Sequence, residues 1–154
     1  MTRLIVIADA SSLIALDNID EIEILHSLYT SITITPEVAS EYGRAIPAWI
    51  HIREASIQSK QRLETSRLDL GEASSIALAL DSVYPLLIID EKKGRRVAEQ
   101  LGIDIIGIVG VLIKAKVAGF IREPQTLLDR LKSVDFRLSD TLKVRLSSDG
   151  DPIH

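Results

Sequence analysis

The chain contains no cysteine. Disulfide staples and thiolate metal sites are therefore excluded, and the expected compartment is a reducing cytoplasm. Aromatic residues make up only 4% of the chain, so its core has to be built from Ile, Leu, Val and Ala. A long apolar run is also missing: Asp104, Lys114 and Lys116 interrupt the greasiest region, Ile103–Ile121, before it reaches the roughly 18 residues that span a bilayer. No membrane partner is expected. The apolar stretch Leu4–Ala8 is too short for the core of a signal peptide and stops at Asp9, so it reads as mature structure. Net positive charge is absent too. A balance of −4, from 18 basic and 22 acidic residues, leaves no global field for nucleic acid, so such contact has to be local or metal-assisted. The three histidines, His26, His51 and His154, share no metal-ligand spacing and read as structural or surface residues. Gly107-Ile108-Val109-Gly110 follows a strand but lacks the G-x-G-x-x-G spacing of a dinucleotide site.

What is present is a globular chain of 154 residues, 46% hydrophobic and 26% charged, with no repeat, low-complexity tract or long linker. The expectation is one domain over residues 1–147 and a flexible tail over 148–154. Leu4–Ala8 is a continuous apolar run of strand length, hydrophobic on both faces, as central parallel strands are; Leu86–Ile89 is another apolar strand and Ile103–Ile108 a further strand. Ser31–Thr35 alternates Ile with hydroxyl residues and reads as a further strand. Pro47–Ile57 is ambiguous between a strand and an irregular hairpin.

Helices alternate with these strands. Ser11 and Ser12 are expected to cap one, Asp20 to open a second, and Thr35-Pro36-Glu37 gives a third a capping hydroxyl, an early Pro and a first-turn acid. Further helices are expected from Leu70, after Asp90, from about Gly110 to Ala118, over Glu123–Lys132 and over Ser139–Leu146, with Gly102 and Gly119 as stops. In the helix after Asp90, Gly94, Val97, Ala98 and Leu101 face inward while Lys92, Arg95, Arg96 and Glu99 face outward. The fold class is α/β: a three-layer α/β/α sandwich around a central, mostly parallel sheet of four or five strands.

Four acids are placed unusually. Asp9 and Asp90 each end an apolar strand, on the sheet edge where open parallel sheets bind ligands. Glu41 shares a helix face with Val38 and Tyr42, which want burial, and Glu72 lies in a first helical turn. Each has an ordinary alternative as a helix cap, a dipole partner or one half of a surface ion pair. Their joint placement points to a site. Four ionised carboxylates close together repel one another and push their pKa values up unless a cation intervenes. With no His or Cys among them, the oxygen set selects Mg²⁺ or Mn²⁺. Lys92, Lys93, Arg95 and Arg96 read either as a phosphate clamp beside the acids or as a solvated helix face.

These residues resemble PIN-domain nucleases. The resemblance rests on Ile7-Ala8-Asp9-Ala10-Ser11-Ser12-Leu13-Ile14, Thr35-Pro36-Glu37-Val38-Ala39-Ser40-Glu41, Gly71-Glu72-Ala73-Ser74-Ser75-Ile76-Ala77-Leu78-Ala79, and Leu87-Ile88-Ile89-Asp90 with Gly94-Arg95. The Leu86–Ile121 segment is most similar to a prokaryotic branch of predicted nucleic-acid-binding PIN-like proteins, related to the toxins of VapBC-type toxin–antitoxin pairs. The resemblance implies a Mg²⁺- or Mn²⁺-dependent ribonuclease in which Asp9, Glu41, Glu72 and Asp90 hold the metal and Ser11 supports Asp9 or a metal-bound water. It further implies a homodimer and, in toxin members, an antitoxin that blocks the acidic cleft. The third acid is Glu72 where many members carry Asp, Ile88 and Ile89 stand where many carry a hydroxyl residue, and Glu91 is a candidate extra acid.

The leading expectation is therefore an endoribonuclease. An alternative is a catalytically silent PIN-like module that binds RNA or protein. A phosphoacceptor receiver domain is a third reading, but Ala8-Asp9-Ala10 lacks the paired acids such domains carry and Gly107–Gly110 offers no Lys.

Overall fold

The structure is a computed structural model and describes residues 4–133. The expected helix Ser139–Leu146 and the tail 148–154 lie outside the described residues. In chain order the elements are β1 (Ile5–Ala8), α1 (Ala10–Asn18), α2 (Glu23–Tyr29), β2 (Ile32–Ile34), α3 (Pro36–Tyr42), β3 (Ile50–Ile52), α4 (Ile57–Arg62), α5 (Leu70–Leu80), β4 (Pro85–Ile88), α6 (Lys92–Gln100), β5 (Asp104–Ile106), α7 (Ile108–Val117) and α8 (Pro124–Ser133).

The five strands form one sheet in the order β3-β2-β1-β4-β5, and every pairing is parallel. The ambiguous Pro47–Ile57 segment supplies the fifth strand, Ile50–Ile52, and Ile57 starts α4. Strand alternation divides the core into two layers. Val6, Ala8, Leu86 and Ile88 point to the face covered by α1, α2, α3, α7 and α8, where Leu13, Leu16, Leu25, Val38 and Leu112 are buried. Ile7, Leu87 and Ile89 point to the other face, covered by α5 and α6 through Ile76, Ala77, Leu78, Ala79 and Ala98. Both faces of β1 and β4 are thus dry, which is why these strands read as unbroken apolar runs. The result is the expected three-layer α/β/α sandwich.

Local differences have local causes. Asp9, not Ser11 or Ser12, caps α1: its extended backbone leaves the carboxylate free to accept from the Ser12 N–H at 3.0 Å. Asp20 does not open α2. It sits in a turn at φ +57, and α2 begins at Glu23 without a side-chain cap. Helix α7 starts at Ile108, two residues earlier than expected, because Asp90 accepts from the Ile108 N–H across the sheet edge. Glu41 is exposed although Val38 and Tyr42 on the same short helix are buried. Thr35 caps α3 through Val38 N–H, as its sequence indicates, and Gly102 and Gly119 adopt positive φ.

Candidate metal centre

The strand order reverses between β1 and β4, so their connections leave in opposite directions and open a crevice at their carboxyl ends. Asp9 and Asp90 both stand there. Ala8 pairs with Ile88, and the Asp9 N–H donates to the Ile88 carbonyl at 3.1 Å. Asp9 is 2% exposed. Its Oδ1 caps α1, whereas its Oδ2 is buried and has no hydrogen-bond partner. Burial pushes its pKa up to about 7 against the relief given by Ser12, and the charges of Asp90 and Glu41 add to the rise.

Asp90 is held more completely. Both its oxygens accept from the Ile108 N–H at 3.1 Å, and its Oδ2 also accepts from Ser12 Oγ at 3.3 Å. Burial raises its pKa, opposed by Ile108, by the Arg95 guanidinium and by Ser12. Ser12 therefore links the two aspartates, donating its N–H to Asp9 and its hydroxyl to Asp90. Ser11 is exposed, one position round the helix.

Glu72, in the first turn of α5, is 8% exposed and also carries a buried oxygen, Oε2, without a partner. Burial pushes its pKa up to about 8, helped by a hydrogen bond to Asp69 and by the charges of Asp69, Glu91 and Asp9. Glu41 rises as well, through burial and then Asp69. Mutual repulsion, expected from the clustering of acids, is the lesser cause of these raised pKa values. Burial comes first at all four acids, and like charge adds to it at three.

Three glycines show how tightly the acids are packed. A Cβ at Gly71 would lie 2.7 Å from Glu41 Oε1, one at Gly94 would lie 2.8 Å from Glu72 Oε2, and one at Gly107 would lie 2.6 Å from Asp90 Oδ1. Real Cβ atoms do not approach that closely. Gly94, expected to let its helix pack close, does so against Ile89 and Glu72.

The basic group divides. Lys93 donates to the Arg67 carbonyl at 2.8 Å, and Lys92 and Arg96 are exposed. Arg95, expected to face outward, is half-buried with Nη1 against Gly107 on the Asp90 side. Glu91 is exposed and caps α6 through Lys93 N–H. Asp69 was not singled out from the sequence. It caps α5 by accepting from Glu72 N–H at 2.9 Å and stands beside both glutamates. The signal was there, since Asp69-Leu70-Gly71-Glu72 has the spacing of a capping box.

Oxygen-only donors, two orphaned buried carboxylate oxygens and glycine-cut cradles suit a hard divalent cation. Among the described residues no three of these acids stand in ready ligating geometry. A cation that keeps several of its waters needs only one or two direct carboxylates. No described helix is long and apolar enough to cross a membrane.

A family model for a PIN domain matches residues 5–149. No curated protein matches the chain.

Proposed function

The chain belongs to the PIN-domain family, whose members are commonly nucleases that use divalent metal ions, and from that premise we propose that it is a Mg²⁺- or Mn²⁺-dependent endoribonuclease. The observation that carries the reading is the pair of buried, unpartnered carboxylate oxygens, Asp9 Oδ2 and Glu72 Oε2, at the sheet's topological switch point. Asp9, Glu41, Glu72 and Asp90 hold the metal. When bound, the metal supplies a more acidic water for attack on the phosphodiester and positive charge for the departing oxygen. Asp9 and Glu72 accept the cation only after losing protons that burial otherwise retains. Ser12, in place of Ser11, keeps Asp90 aligned beside Asp9. Glu91 supports Glu72 from the start of α6. Arg95 offers its guanidinium beside Asp90, and Lys92, Arg96 and, after leaving Arg67, Lys93 contact the flanking RNA phosphates.

The test compares wild type with Asp9→Asn on RNA in Mn²⁺. Asn keeps the cap of α1 and removes the charge, so cleavage should fall at least about a hundredfold while the fold persists. Equal rates would sink the reading.

One observation favours a silent RNA- or protein-binding module: both Asp90 oxygens are already engaged by protein donors. Calorimetry that finds no Mn²⁺ binding by a folded protein decides for it. The likeness to toxin members also supports a further reading, a cytoplasmic homodimeric toxin whose acidic cleft is blocked by a cognate antitoxin. Light scattering on the pure protein tests the dimer. Loss of RNA cleavage on adding the product of the adjacent reading frame tests the antitoxin.

A further inference from the structure

We propose that the pocket between α3, α4 and α5 is a base subsite that takes an unstacked guanine of the RNA beside the acids, with Glu37 and Lys60 reading its Watson–Crick edge. The inference rests on the reading of the chain as acting on RNA and names the base that this reading leaves open.

The pocket has a volume of about 420 Å³, within the roughly 300–1,000 Å³ of pockets that hold small molecules. It adjoins the candidate centre because the helices that wall it also carry Glu41 and Glu72. Glu37 lies one turn before Glu41 on α3, and Leu70, Ala73 and Ser74 flank Gly71 and Glu72 on α5. Gly71 is the glycine against which Glu41 Oε1 rests.

The walls suit a flat ring. Leu63 is buried, Leu68 and Ala73 are half-buried, and Leu70 is exposed, so a base face laid on it would remove apolar surface from water. Ser74 also lines the pocket, but its hydroxyl is committed to Thr35 and to the Gly71 carbonyl. Polar recognition therefore falls to the charged side chains.

Lys60 Nζ lies 3.7 Å from Glu37 Oε2 and 2.7 Å from Glu54 Oε1. Both pairs are open to solvent and weakly held, so a ligand can exchange for them. An ammonium donor beside a carboxylate acceptor matches guanine, whose O6 accepts next to two donors, N1–H and N2–H₂. The two oxygens of one carboxylate can accept from both donors together. Adenine, cytosine and uracil present no two neighbouring donor groups on that edge. A phosphate is disfavoured, because Glu37 and Glu64 on the pocket outnumber Lys60. Unstacked bases of single-stranded RNA are commonly read on this edge.

The deciding experiment measures cleavage in Mn²⁺ and, by fluorescence polarisation, affinity for three single-stranded RNAs that differ at one position. That position holds guanine, inosine, which lacks the 2-amino group, or uracil. Wild type and Glu37→Gln are compared, with thermal midpoints measured on the same samples. The expected result is a preference of about ten- to hundredfold for guanine over inosine in wild type, most of it lost in Glu37→Gln at an unchanged midpoint. Lys60→Met removes the partner of O6, should lower the preference for guanine over uracil, and serves if Glu37→Gln fails to fold. Equal rates and affinities for the three RNAs, or a preference kept by Glu37→Gln, overturn the subsite and leave the metal-dependent reading standing. If wild type cuts none of them, the ribonuclease reading fails and affinity alone judges the pocket: a guanine preference upholds it, and equal binding overturns it.

Discussion

The candidate centre has two halves that are built differently. Asp9 and Asp90 stand at the ends of adjacent buried strands and are fixed by main-chain N–H groups, from Ser12 and Ile108. Glu41 and Glu72 stand on helices. Glu41 is exposed and makes no hydrogen bond among the described residues, and Glu72 keeps one free oxygen. Two methylene groups separate a glutamate carboxylate from its helix, and among the described residues no main-chain N–H holds it at the tip. The strand-borne half thus sets a fixed geometry, while the helix-borne half can adjust around whatever enters the crevice.

The largest effect expected from this contrast is in the pH dependence of the metal-free protein. Folding lifts the pKa of Asp9 from 3.8 to about 7, so the folded state holds its proton more tightly than the unfolded chain does. The associated stability is fully present below about pH 4 and is lost as pH rises to about 7, amounting to about 4 kcal/mol. Thermal melts in chelator should show the midpoint falling over that window. Asp9→Asn should flatten the fall and make the metal-free protein more stable than wild type at pH 8. Parallel profiles for the two proteins would count against a buried, unpaired Asp9.

Next in size come the glycines. Gly107→Ala drives a Cβ into Asp90, which is held in place, and should cost about 1–3 kcal/mol by overpacking. Gly71→Ala meets only the far end of Glu41, which can swing away, and should be neutral or gain up to about 1 kcal/mol from helix propensity. Chemical denaturation of both variants sharpens the comparison. Equal costs would show that the two halves are equally rigid.

Capping gives a smaller difference. Asp9→Ala should be about 1 kcal/mol less stable than Asp9→Asn, because only Asn retains the acceptor for Ser12 N–H. Glu41→Gln, which caps nothing, should shift stability by less than about 0.5 kcal/mol. A large loss there would reveal a partner for Glu41.

The same contrast explains what the sequence made legible. An acid that ends an apolar run has its position dictated by the strand, so Asp9 and Asp90 could be placed without coordinates. Thr35 and Glu72 were legible because caps and first turns have local signatures. Glu41 was harder: α3 is only two turns long and lies at the mouth of the crevice, so its charged residue turns to solvent although its helical neighbours are buried. Ser12 replaced Ser11 because the cap geometry reaches three residues on, a matter of backbone angles more than of residue type. Arg95 leaned inward because the β5–α7 junction packs beside α6, a contact that no pattern within α6 contains. Asp69 was hidden in plain view as an ordinary cap. That it also stands beside Glu41, which lies 28 residues away in the sequence, is a contact that no local pattern contains.

The three close glycines give these acids a signature of their own. Each lies against one carboxylate, Gly71 against Glu41, Gly94 against Glu72 and Gly107 against Asp90, but only Asp90 is held so that it cannot give way. In a related chain that has lost one of these acids, the matching glycine is released from that carboxylate. Gly94 would still face Ile89. Gly107 would face only the flexible end of Arg95 once the Asp90 carboxylate is gone, whereas Gly71 accepts alanine even beside Glu41, which can swing aside. Across relatives Gly107 and Asp90 should therefore change together, so that reading this one glycine reports which copies of the fold still use that acid.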